Sequence, residues 1–175
     1  MNSRISAEMA AIFFTPGLAS LGPEQRADAL ALDACLNQIE AAITSAGIPF
    51  GSANLIRSAG LLWHDHLDES HAVSQDISDS DGSFLHAIMH RREPDYPNAK
   101  YWFNQTGRHE AFPEILKATE SVMSGTDLAH LAEGEWDPFA MVDAVSRAKA
   151  DTAEYALLQK VQRIEFEVLL ERFCA

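Results

Sequence analysis

Cysteine is scarce in this 175-residue chain. Only Cys35 and Cys174 are present, 139 positions apart, with no CxxC or zinc-ribbon spacing. That count excludes a disulfide-stapled scaffold and a cysteine-based zinc site, and it predicts two free thiols in a reducing compartment. Long apolar runs are missing as well, since none approaches the ~18 residues of a membrane span. Residues 7–21 are fairly apolar, but Glu8 and Pro16 interrupt them and Arg4 is the only basic residue before them. The segment is therefore not read as a signal peptide, and a cytoplasmic location is expected. Basic charge is the third shortage: 13 Lys and Arg stand against 26 Asp and Glu, a formal net charge of -13. Such a surface repels nucleic-acid phosphates and anionic lipid, so neither is an expected partner. Arg91, Arg92, Lys100 and Arg108 are too few for a nucleic-acid footprint, although they suffice for one small anion. No GxSxG, P-loop, GxGxxG or cysteine–histidine nucleophile pattern occurs. Period-two alternation, the mark of half-buried strands, is nearly absent.

What remains reads as helices. Hydrophobic residues make up 47% of the chain, ordinary for a globular protein and too high for disorder. The length suits one domain with a substantial core. A short helix to about residue 14 precedes a Pro16-Gly17 turn. Pro23 as a first-turn residue and Gly47 as a C-terminal cap predict a long helix between them, with Leu32, Leu36, Ile39 and Ile43 as its buried stripe. A second long helix is predicted over about 52–75, then an acidic turn over 76–82. Ser83 would cap a short helix through Arg92, which ends because Glu93 precedes Pro94. Further helices are predicted from Pro97 to before Gly107, over 113–123, from Asp137-Pro138 to about 149, and over about 152–173. The last is apolar on more than one side, which makes it central in a bundle or half of a homodimer interface. The expected architecture is an all-α, single-domain helical bundle of six to eight helices spanning residues 1–175.

Six of the seven histidines lie between His64 and His109. On the predicted second helix His64, Asp68, His71 and Gln75 fall at steps of four, three and four, and so share one polar sector. On the next helix His86 and His90 are four apart and also share a face. Two such stripes facing one another across an antiparallel pair would gather three or four imidazoles and a carboxylate. His71, His86 and His90 are thus candidate ligands for one divalent transition metal, zinc or iron. The zinc-protease signature is excluded, because it needs glutamate directly after its first histidine and Ala87 stands there. A metal-free polar pocket and a merely solvated helix face remain alternative readings of the same spacing.

The neighbours widen the candidate site. Arg91 and Arg92 either fork onto an anionic ligand or complement the C-terminal end of their helix dipole. Adjacent helical residues point apart, so only one of the two is expected in a pocket. Lys100 and Tyr101 could line that pocket, supplying an ammonium and a hydroxyl, whereas Trp102 and Phe103 are expected in the core. His109 follows Gly107-Arg108 in a predicted loop, a favourable setting for function.

The run His86-Ala87-Ile88-Met89-His90-Arg91-Arg92-Glu93-Pro94-Asp95-Tyr96, then Asn98-Ala99-Lys100-Tyr101-Trp102-Phe103, together with His71, Gln75, Gly107 and His109, resembles a family of uncharacterised bacterial and fungal proteins. The resemblance covers roughly residues 61–113. It implies that these positions form one shared unit, and it implies no particular activity or cofactor.

Three functions follow as expectations. The first is an enzyme acting on a small anionic metabolite, in which His71, His86 and His90 bind a metal or act as acid and base, Arg91 or Lys100 holds the anion, and Tyr101 and His109 complete the pocket. Asp68 would orient an imidazole. The second is a binding module that holds a small molecule without turning it over. The third is a helical homodimeric interaction protein with no active site.

Overall fold

The computed structural model describes residues 5–175. The first four residues, part of the expected N-terminal helix, lie outside the described residues. Among the described residues the chain forms nine α-helices and no strand: α1 (Ala7–Phe13), α2 (Leu32–Ala46), α3 (Phe50–Trp63), α4 (Leu67–Ser74), α5 (Ser80–Arg92), α6 (Tyr96–Thr106), α7 (Phe112–Met123), α8 (Pro138–Arg147) and α9 (Ala153–Phe173), with a 3₁₀ turn at Ala129–Ala132. The all-α bundle is as expected, with one helix more than the upper end of the expected range.

The extra helix comes from a break inside the predicted 52–75 helix. α3 ends at Trp63 in a Schellman motif: the His66 amide donates to the Leu61 carbonyl and the Asp65 amide to that of Leu62. Asp65 takes the left-handed position at φ 64°, a conformation Asp tolerates better than most residues. The carboxylate then holds the break in place. It receives the Arg92 guanidinium at 2.5 Å, Arg26 at 3.1 Å and the backbone amides of Ser20 and Arg26. Arg92 and Arg26 also donate to the Leu62 and Trp63 carbonyls at the helix end.

The same break explains why α2 starts at Leu32 and not near Pro23. Leu30 donates its amide to His64 Nδ1 at 3.1 Å, and its carbonyl lies 2.8 Å from His66 Nε2. Backbone groups that would have extended α2 are used to clamp the α3–α4 corner. α5 likewise begins earlier than expected. Its N-cap is Asp79, whose side chain accepts the Gly82 amide, and Ser83 lies inside the helix with its hydroxyl turned back to the Asp79 carbonyl.

α5 is buried on nearly every side, from Gly82 to Arg92. It pairs with α6 as a helical hairpin and also packs against α3 and α4. α9 lies across the other side of the core, against α3, α7 and α8. Trp63 sits at the centre, edge-on to Phe166 of α9 at 5.6 Å. The broad apolar surface of α9 is therefore spent inside the bundle, with Leu158, Val161, Phe166, Leu169, Leu170 and Phe173 all buried. Gln162 and Glu165 are buried on the same helix because Arg91 reaches them: its guanidinium forks onto Glu165 at 3.1 and 2.5 Å and donates to Gln162 at 3.2 Å.

Candidate metal centre

α4 and α5 run side by side, and their facing surfaces bring three histidines together. His71 comes from the last turn of α4; His86 and His90 come from successive turns of α5. The four-residue step stacks the His86 and His90 rings at 4.8 Å and 19°, and His71 meets them edge-on at 4.8 and 5.2 Å. One ring nitrogen from each of the three lies within 4.8 Å of the others. Ligands about 2.1 Å from a tetrahedral ion stand about 3.4 Å apart, so closing on an ion requires movements of about an ångström. Side-chain torsions supply that.

The surroundings leave these imidazoles with lone pairs to give. His86 is 2% exposed, and neither of its ring nitrogens has a hydrogen-bond partner. Burial, then repulsion from His90 and His71, pushes its pKa down to about 4, so the ring is neutral at physiological pH. Its other contact is a parallel stack on Trp102 at 4.0 Å and 14°. His90 is also shifted down by burial, against the opposing pull of Glu93. His90 Nδ1 lies 3.0 Å from Glu93 Oε2, and a carboxylate there accepts an N–H. That fixes the proton on Nδ1 and puts the lone pair on Nε2. His71 is half-buried, so the cluster reaches towards solvent on the α4 side.

Other expected site residues have partners elsewhere. The helix break rotates His64 out of the predicted stripe and buries it completely: Nδ1 accepts from the Leu30 amide, and Nε2–H donates to the Ile12 carbonyl at 3.1 Å. Asp68 and Gln75 are exposed. Arg91 turns to α9, as described above, and Arg92 to Asp65; both guanidiniums are completely buried in ion pairs, where one had been expected in a pocket. Lys100 bridges α6 to α8 through Asp143 at 2.6 Å. Tyr101 is 54% exposed, with its ring edge-on to Trp102. His109 is buried against Phe84 and Phe112; its Nδ1 accepts from the Ala111 amide and its Nε2–H donates to Asp81 at 2.9 Å. Residues 61–113 thus contain one three-histidine cluster, two buried ion pairs that join Arg91 to Glu165 of α9 and Arg92 to Asp65 at the α3–α4 corner, and a partly exposed Lys100–Asp143 bridge to α8.

Sequence reasoning missed two neighbours of the cluster. Trp102 was assigned to the core, yet it is half-buried and forms the floor under His86. Asn98, on the first turn of α6, places its carboxamide nitrogen 3.1 Å from His90 Nε2. Both contacts arise from the α5–α6 hairpin, which helical spacing within one segment does not report.

No protein-family model matches this chain, and no curated protein or solved structure does so either.

Proposed function

We propose that this protein binds one divalent transition-metal ion, zinc or iron, through His71, His86 and His90, and uses it as the centre of an enzyme acting on a small anionic molecule. The observation that carries the reading is His86. A buried imidazole with both nitrogens unpaired forfeits its water hydrogen bonds without replacing them, at a cost of about 1–3 kcal/mol. A metal bond to one nitrogen would offset that cost, and two further imidazoles lie close enough to share the ion.

The chemistry follows from the donor set. Three neutral nitrogen ligands leave the ion its full double charge and an open position for water or substrate. Such an ion attracts an anionic group and lowers the pKa of a bound water. The anion-holding role expected of Arg91 and Lys100 passes to the ion itself, since Glu165 and Asp143 occupy those cations. Glu93, hydrogen-bonded to His90, keeps that ring in the ligating tautomer.

Zinc or iron(II) added to metal-stripped protein should raise its melting temperature; at about a hundredfold excess over Kd the gain is about 2.7 kcal/mol. Tryptophan fluorescence should change in step, because Trp102 lies against the His86 ring. The His86→Phe variant keeps an aromatic ring on Trp102 and removes the unpaired nitrogens. It should fold with equal or greater stability and show neither response. A wild-type protein indifferent to zinc, iron, nickel and manganese would refute the metal reading.

A further inference from the structure

A cleft of about 540 Å³ lies between the start of α7 and the approach to α8, and it shares no residue with the histidine cluster. Two left-handed glycines turn the chain around it. Gly107, at φ 64°, ends α6, and Gly134, at φ 75°, follows the 3₁₀ turn. Asp137 then caps α8 by accepting the Phe139 amide, with Pro138 opening the helix. The walls are largely apolar: α7 contributes Phe112 and Leu116, and the entry to α8 contributes Trp136 and Phe139. Pockets for small molecules run from about 300 to 1,000 Å³ and have linings of this kind, with a few polar groups that fix orientation.

One polar group on this wall is unpaired. Trp136 is 4% exposed, and its Nε1–H has no acceptor, whereas the Trp63 indole donates to Thr15 Oγ1 at 2.9 Å. An indole N–H can only donate, so what satisfies it must bring an acceptor. His109, also on the wall, cannot serve: its two ring nitrogens are taken by the Ala111 amide and Asp81. At the rim, Arg108 and Glu135 stand 3.6 Å apart, both almost fully exposed, and Asp137 adds a second carboxylate. Two carboxylates against one guanidinium, on a chain of net charge -13, disfavour an anion. We infer that this cleft binds a small neutral molecule carrying an apolar ring and a carbonyl oxygen, with the oxygen accepting the Trp136 N–H. The ring packs among the aromatic side chains. Water does not reach Nε1, so the oxygen engages it through a side-chain rotation at the wall, where Leu116 and Phe139 are only half-buried.

The test is an NMR titration of the isotope-labelled full chain with acetophenone, and in parallel with ethylbenzene, which matches its shape without the oxygen. The Trp136 indole resonance is the one missing from the spectrum of Trp136→Phe. Acetophenone should move it downfield, as a new hydrogen bond does, and should bind about 2- to 10-fold more tightly than ethylbenzene. Leu116→Trp, which fills the cleft from α7, should bind neither compound while keeping the dispersed spectrum of the fold. Absence of acetophenone binding to wild type at millimolar concentration would overturn the inference. So would an indole resonance that stays in place as acetophenone binds, or equal affinity for the two compounds. Benzoate binding more tightly than acetophenone would assign the cleft to an anion held by Arg108, and the neutral reading would fall. None of these outcomes bears on the three-histidine centre, which the metal titration tests separately.

Discussion

His64 and His86 are both buried imidazoles held near pKa 4 by desolvation, and they differ in their partners. His64 has a bond at each nitrogen and joins α1, the α2 approach and the end of α3. His86 has none. The first is therefore a structural residue with a pH signature. An unfolded histidine titrates near pH 6.5, whereas His64 in the fold stays neutral until about pH 4. Between those values the unfolded chain takes up a proton that the native state refuses, so stability falls as pH is lowered through this window. The full effect is on the order of 3 kcal/mol. Urea unfolding of wild type and His64→Gln should give a shallower decline for the variant between pH 6.5 and 4.5. Identical slopes would mean that His64 is not titrating as its burial requires. The sequence placed His64 and His86 in two facing polar stripes, because spacing reports a face and says nothing of what covers it.

At the scale of elements, the α3–α4 corner decides where the histidines go. If the helix had continued through Asp65, His64 and His71 would lie on one face, as the periodicity predicted, and α4 could not tilt His71 onto α5. Asp65 performs two tasks there: it accepts the left-handed backbone position, and it supplies the negative charge for the buried Arg92. The second matters more. Removing one partner of a buried ion pair costs about 3–5 kcal/mol, while a left-handed residue other than glycine costs about 1–2. Asp65→Gly, which eases the backbone and removes the charge, should therefore destabilise the protein by several kcal/mol in urea titrations, nearly as much as Asp65→Ala. If Asp65→Gly proves as stable as wild type, the corner is held by backbone geometry alone. Helix ends marked by proline, glycine or a capping carboxylate were legible in the sequence, as at Gly47, Pro94 and Asp137. This one was not, because an aspartate in place of glycine gives no local sign that the helix stops.

Across the whole molecule, the apolar pattern specified an all-helical chain with one core, and that much could be read directly. The role of α9 could not. Its wide apolar surface suited a dimer interface as well as a bundle centre, and only the packing of α3, α7 and α8 against it shows that the breadth is used internally. Among the described residues the large hydrophobic side chains left exposed are Phe50 and Tyr101. The histidine-rich segment was legible as a place, and the residues His71, His86 and His90 were legible as a set. Asn98 and Trp102 required the α5–α6 hairpin. The molecule has buried Arg91 and Arg92 in ion pairs with Glu165 and Asp65, and it leaves three imidazoles side by side. The central claim is that a single metal ion belongs among them. Elemental analysis of the full chain, purified without chelator and without an affinity tag, tests it most directly when run beside His86→Phe. The account predicts one zinc or iron per wild-type chain and none in the folded variant; equal metal content in the two proteins, or none in wild type, would contradict it.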